Sequence, residues 1–322
     1  LIRTSHVGSF PFDYRSGLPC RILRELREIG IDAPPYPQLR DFVEIYLEPL
    51  VEEGLIERRA GFYYADPEKL ADAEPPEPRL AEAEESAGCR EDIEWLRGPV
   101  TGVFTLASKI YVREGLGLEN TLLTNKEVVT GFLKQYVLRA AKKLVGLGYN
   151  IVFFDEPILG VMVGRRRILY GYTAHEITGV YEEILGEISV EKGIHVCGSI
   201  SPKLFEILTG INGLDIVNLE FYGSRKNLDR IDQALLEKSG KRLAPGIASS
   251  KQPRIESVDE ILGLLEKISE KAGGRIDLVS ADCGFGGLKG MMPDDDLHEI
   301  VMGKLRNIVE AVRIYRERHG MG

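Results

Sequence analysis

His195, Cys197, Glu220 and Cys283 are residue types that bind metal ions. Each ends an apolar, β-branched run: GIHVCG (193–198), DIVNLEFYG (215–223) and IDLVSADCG (276–284). Such runs read as buried parallel strands. Side chains two apart on a strand share a face, so His195 and Cys197 can reach one ion. Imidazole, thiolate and carboxylate together suit tetrahedral Zn²⁺, whereas Mg²⁺ or Ca²⁺ would want oxygen donors alone. A dication held by Cys197, Cys283, Glu220 and a neutral His195 carries a formal charge of −1, from two thiolates and one carboxylate. So electron-rich a centre activates water poorly, but it can take up an incoming thiol and hold it as the thiolate. The donor set therefore predicts alkyl transfer to a thiol substrate. A closed structural zinc is the competing reading, although structural sites usually draw close-spaced pairs from one local loop rather than ligands from three strands.

These residues need a scaffold that brings distant strand ends to one place. Strand-like runs recur at 3–9, weakly at 29–34, then at 100–106, 150–157, 193–198, 215–223, 242–248 and 276–284. Between them, 126–148, 173–189 and 258–274 carry apolar residues at helical spacing. Eight strands alternating with helices predict an α/β fold, a (β/α)₈ TIM barrel formed as a single domain over 1–322. Residues 56–98 break the rhythm with a short hairpin and an acidic, proline-bearing loop, and read as an insertion between early barrel units. The C-terminal ends of barrel strands form the active face. Every metal-binding candidate falls there, and Asp155 and Glu156, ending the fourth strand, are expected to face the same cleft.

The 322-residue chain is 43% hydrophobic and 28% charged, an ordinary globular composition with no apolar run long enough to cross a bilayer and no basic, apolar leader. This predicts a soluble, cytoplasmic protein without a membrane partner. A net charge of −9 argues against a nucleic-acid partner. Cys20, Cys89, Cys197 and Cys283 are too few and too scattered to suggest a disulfide framework. GFGGLKGMMP (284–293) lacks the ordered pattern of a phosphate loop and reads as a substrate-covering loop. Arg165, Arg166 and Arg167 read as a solvated loop, with docking of a partner or cofactor as the alternative.

Taken together, TSHVGSFP (4–11), GPVTGVFTL (98–106), FFDEP (153–157), HVC (195–197), NLE (218–220), APGIASSKQPRIESVDEI (244–261) and ADCG (281–284) resemble, in order and spacing, the catalytic barrel of cobalamin-independent methionine synthase. The motifs span nearly the whole chain. They are similar to the C-terminal barrel of the two-barrel enzymes and to the short archaeal-type members. The resemblance implies that His195, Cys197, Glu220 and Cys283 bind a catalytic zinc, and that a methyl group passes to the thiol of homocysteine to give methionine. It also implies that Val7, Gly8, Ser9 and Asp155 hold the amino-acid part of homocysteine, with Asp155 the candidate catalytic side chain. Two departures stand out. APPYPQLRDF (33–42) offers no counterpart to the family's amine-binding glutamate, and Lys251 stands where folate-using members carry a histidine. A methyl-corrinoid carried by another protein is the expected donor, with a reduced methyl-pterin as its competitor. The rival functions are methyl transfer to another thiol, such as coenzyme M, and a non-catalytic, zinc-stabilised corrinoid-binding subunit.

Overall fold

The computed structural model describes residues 2–90 and 92–321; Glu91, inside the 56–98 segment, and the two terminal residues lie outside this range. Five strands, Arg97–Thr101, Ile151–Asp155, Glu191–Val196, Ile216–Glu220 and Arg242–Gly246, pair in that order, all parallel. Single parallel bridges complete the circle. Leu243 and Gly246 pair with Ile276 and Ser280, Thr4 with Val279, Ser5 with Ala33, and Pro35 with Arg97. The eight positions thus close into a (β/α)₈ barrel. Three of them are held by only a few backbone bonds, such as Ser5 N to Val279 O at 2.8 Å and Ala33 N to Thr4 O at 2.9 Å.

Alternation along the strands divides the apolar residues into two sets. Val152, Phe154, Ile194, Val196, Val217 and Leu219 join the large core shared with the helices. Ala33, Ile151, Phe153, Ile216, Ala244 and Leu278 form a separate cluster, the floor of the barrel interior. The predicted helices occur at Lys134–Gly146, Ala174–Gly186 and Val258–Lys271, the first preceded by a π-helical turn at Val129–Leu133. Thr173 and Glu176 form a capping box at the second, and Ser257 caps the third through Glu260 N.

Several expectations are corrected. The third strand runs over Arg97–Thr101 rather than 100–106; Val103–Ala107 is instead a fully buried helical turn, and an apolar run wrapped on all sides carries no period to tell helix from strand. The hairpin forms at Glu57–Arg59 and Phe62–Tyr64. The acidic loop that follows contains a helix, Ala81–Gly88, because Ala and Glu favour helix once Pro78 is passed. Cys20 and Cys89 form a disulfide that joins the helix Leu18–Glu28 to the end of Ala81–Gly88. Their separation of 69 residues hid the pair, since only the folded path of the intervening chain brings them together.

Candidate metal centre and substrate cavity

Three ligand atoms converge at the mouth of the barrel. His195 Nε2 lies 2.9 Å from Cys197 Sγ, which lies 3.0 Å from Cys283 Sγ. All three fall within 4.8 Å of one another. His195 and Cys197 come from the end of the fifth strand and Cys283 from the turn after the eighth, so closure of the barrel brings together the ends of two strands that are not neighbours. The donors are soft or borderline, and the two sulfurs shift each other's pKa in opposite directions. The contact between the two sulfurs holds the pKa of Cys283 well below the ordinary thiol value; the same contact, with burial, raises that of Cys197. Burial works to lower the pKa of His195, but the neighbouring Cys283 and Asp155 outweigh it and the net shift is upward. Two cysteine sulfurs and an imidazole nitrogen close enough to share one ion are a fitting donor set for zinc.

Glu220 stands one step back. Its Oε2 accepts a hydrogen bond from Gly198 N at 2.9 Å and its Oε1 one from Ser224 Oγ at 3.0 Å, while Lys251 Nζ approaches Oε1 at 3.5 Å. The structure gathers His195, Cys197 and Cys283, with Glu220 bordering that group from the end of the sixth strand.

The three candidate ligands line a cavity of about 740 Å³ together with Val7, Ser9, Gln38, Asp155 and Lys251. Gly8 does not line it but makes the turn possible. Its φ is 149°, and a Cβ there would meet Pro99 Cγ at 2.8 Å. Ser9 fixes the glycine loop that follows Cys283, accepting from Phe285 N through its carbonyl at 2.7 Å and from Gly286 N through its hydroxyl at 3.2 Å. Gly284, Gly286 and Gly287 accordingly form part of the cavity wall.

The two carboxylates ending the fourth strand part company, correcting the expectation that both face the cleft. Asp155 lines the cavity, and burial pushes its pKa up to about 7 even though His195 and Arg97 oppose the shift. Glu156 points the other way. It accepts from Phe104 N, Thr105 N and Thr105 Oγ at 2.8, 2.8 and 2.6 Å, and from the Tyr181 hydroxyl. Consecutive strand residues face opposite sides, so only one of the pair can reach the interior.

The profile of the "Cobalamin-independent synthase, Catalytic domain" family matches residues 54–312. The chain belongs to this family. Among its relatives, a 5-methyltetrahydropteroyltriglutamate–homocysteine methyltransferase of Acidithiobacillus ferrooxidans is 24% identical over 98% of this chain. The chain spans 42% of that protein's length. A methionine synthase of Sulfurisphaera tokodaii is 26% identical over 92% of this chain and 80% of its own. Among solved structures, a B12-independent methionine synthase from Shewanella sp. W3-18-1, in complex with selenomethionine, superposes with a TM-score of 0.70 at 17% identity, covering 99% of this chain and 98% of that one. This last likeness speaks to the fold.

Within this cobalamin-independent synthase barrel, two buried residues that sequence reasoning passed over brace the ligand-bearing turns. Asn227 donates to Gly198 O and Glu220 O at 2.8 and 2.7 Å and accepts from Ile200 N at 3.0 Å, so one amide stitches the turns after the fifth and sixth strands. Asp282, beside Cys283, accepts from the backbone N–H groups of Phe221, Tyr222 and Gly223 at 2.7 to 3.0 Å. Burial nevertheless pushes its pKa up to about 7. Asp282 was visible within the ADCG motif. Asn227 had no signal, since nothing local distinguishes it from a solvated loop asparagine. Among the described residues no helix is long and apolar enough to cross a membrane.

Proposed function

We propose that this chain is a zinc-dependent methyltransferase that methylates the thiol of homocysteine to form methionine, with a reduced methyl-pterin as donor. The observation that carries the reading is the convergence of His195, Cys197 and Cys283 on the wall of one cavity that also presents Asp155. Zinc held by these three residues, with Glu220 as the fourth donor, would supply a Lewis-acid centre that keeps a substrate thiol ionised at neutral pH. The chain's own residues then place the rest of the substrate. The Val7-Gly8-Ser9 turn suits the carboxylate, and Asp155, buried and with one oxygen unpaired, suits the ammonium. Held at both ends, the substrate would present its sulfur to a methyl donor bound in the same cavity.

One relative supports a pterin over a corrinoid: the Acidithiobacillus protein is named for its methyltetrahydropteroyl donor and for homocysteine. One observation favours a second reading, a thiol that carries no ammonium. After the second strand the wall offers Gln38, and the nearby carboxylates are engaged. Asp41 caps Val43 N and Glu44 N, while Glu44 and Glu48 pair with Arg58. Metal analysis combined with a transfer assay separates the readings. Homocysteine and coenzyme M are each offered with methyltetrahydropteroylglutamate or methylcobalamin. We expect one zinc per chain and methionine from homocysteine and the pterin. Absence of stoichiometric zinc refutes the proposal, and a preference for coenzyme M establishes the second reading.

A further inference from the structure

Arg97 is a fully buried guanidinium in the barrel interior, a position where a charge needs a reason. It enters from the third strand, stacks over the ring of Phe153 at 3.8 Å and donates from Nη2 to Asn218 Oδ1 at 3.3 Å. Phe153 lies two residues before Asp155 on the fourth strand, and Asn218 is the register partner of His195. The guanidinium thus occupies the layer directly below Asp155 and His195, which are themselves register partners on adjacent strands. The Phe153 ring that supports it fills the space a side chain at position 193 would need, since a Cβ on Gly193 would fall 2.2 Å from that ring.

Around this layer lie five buried polar atoms that no protein group satisfies: Arg97 Nε and Nη1, Asp155 Oδ1, His195 Nδ1 and His6 Nδ1. Their chemistry is complementary. Arg97 supplies two donors, and His195 supplies a third when its Nε2 faces the metal. Asp155 Oδ1 is an acceptor. His6 Nδ1 is another, because His6 Nε2 must donate to Ser9 O at 3.2 Å and burial pushes the His6 pKa down to about 3, leaving the ring neutral. Burial also lowers the pKa of Arg97 to about 10, which keeps it a cation at neutral pH. Donors and acceptors enclosed together without direct bonds are the usual setting for structural water, which typically takes two to four polar partners. A histidine that binds a metal nearly always gives its outer N–H to a carboxylate, a carbonyl or a water.

We propose that Arg97 is a positioning residue of the metal centre: with Asp155 and His6 it encloses ordered water that accepts the Nδ1–H of His195 and fixes the imidazole's tautomer and orientation. Asp155 thereby serves two partners, one oxygen turned to this hydrated chamber and the carboxylate lining the substrate cavity. The inference rests on the metal-centre reading above, and its test reads metal affinity rather than turnover.

Zinc dissociation constants are measured by chelator competition, and thermal midpoints of the metal-free protein are recorded, for the parent, Arg97→Met and Arg97→Lys. Arg97→Met is expected to weaken zinc about 10- to 100-fold, the usual effect of losing an outer-sphere partner. Its metal-free midpoint should stay level or rise, because a buried cation with two unpaired donors costs stability. Arg97→Lys should recover most of the affinity. Undiminished zinc binding by Arg97→Met overturns the inference, as does a parallel loss of affinity and midpoint in both variants. If Arg97→Met does not fold, Arg97→Gln against Arg97→Lys carries the same comparison. A parent that binds no zinc would overturn the metal centre itself and this inference with it.

Discussion

The two halves of the cavity are built differently. On one side His195, Cys197 and Cys283 sit on or just after barrel strands, and their turns are braced by buried Asn227 and Asp282. On the other, residues 38–48 form the wall and are steadied from outside the barrel. Arg40 pairs with buried Glu82, Gly17 N donates to Glu85 at 2.5 Å, and the Cys20–Cys89 disulfide ties down the helix that carries both glutamates. The candidate metal side is braced by buried side chains bonding to backbone; the mouth side is held by links to the helix Ala81–Gly88 and the disulfide at its end. The contrast fits the proposed chemistry, in which thiol activation needs one fixed geometry while the opposite wall must suit a particular substrate.

The strongest way to break the metal side is to remove a ligand. Cys283→Ala should abolish stoichiometric zinc and lower methyl transfer by more than about 100-fold, beyond the range for outer-sphere losses; zinc content and a transfer assay check it. The mouth side should respond in stability instead. Reducing the disulfide, or making Cys20→Ser, is expected to cost up to about 4 kcal/mol for a closed loop of this length, while zinc stays bound. Urea unfolding with and without reductant, alongside metal analysis, tests whether the two regions are separable; zinc loss on reduction would show that they are not.

Asp155 and Glu156 sharpen the same contrast within two residues. Glu156→Gln turns an amide NH₂ toward donors that now face oxygen, and should cost about 2 to 3 kcal/mol in urea unfolding. Asp155→Asn should cost less stability yet raise the KM for the amino-acid substrate. The smallest effect lies on the outer ring. The ammonium of Lys126, helped by Thr173, lowers the pKa of Glu176 to about 2 from an ordinary 4.5. A depressed carboxylate pKa gives stability that is complete above the unfolded value and lost as pH falls from about 4.5 towards 2. In Lys126→Met the Glu176 titration, followed by NMR, should move back up, with the metal site unaffected.

Much of this was readable one residue at a time. The closing strands announced themselves because a buried parallel strand is a short apolar run, and a His or Cys at its end is conspicuous against it. The second barrel position was faint, since single bridges at Ala33 and Pro35 need no long apolar run. The Cys20–Cys89 bond, the helix hidden in the acidic segment and the bracing by Asn227 had no local signature. Nor did the turning of Glu156 away from the cleft, which strand alternation required but which the FFDEP motif did not single out.

The sequence by itself determined the barrel class and singled out the candidate metal donors, because periodicity sets the strand and residue type sets ligand softness. Only the tertiary structure decided that Cys283 meets His195 and Cys197, that Glu220 stands beside them held by Gly198 and Ser224, and that Arg97 is enclosed beneath. Those outcomes depend on closing the barrel, which makes neighbours of residues as far apart as Thr4 and Val279 and assigns each inward side chain to a layer.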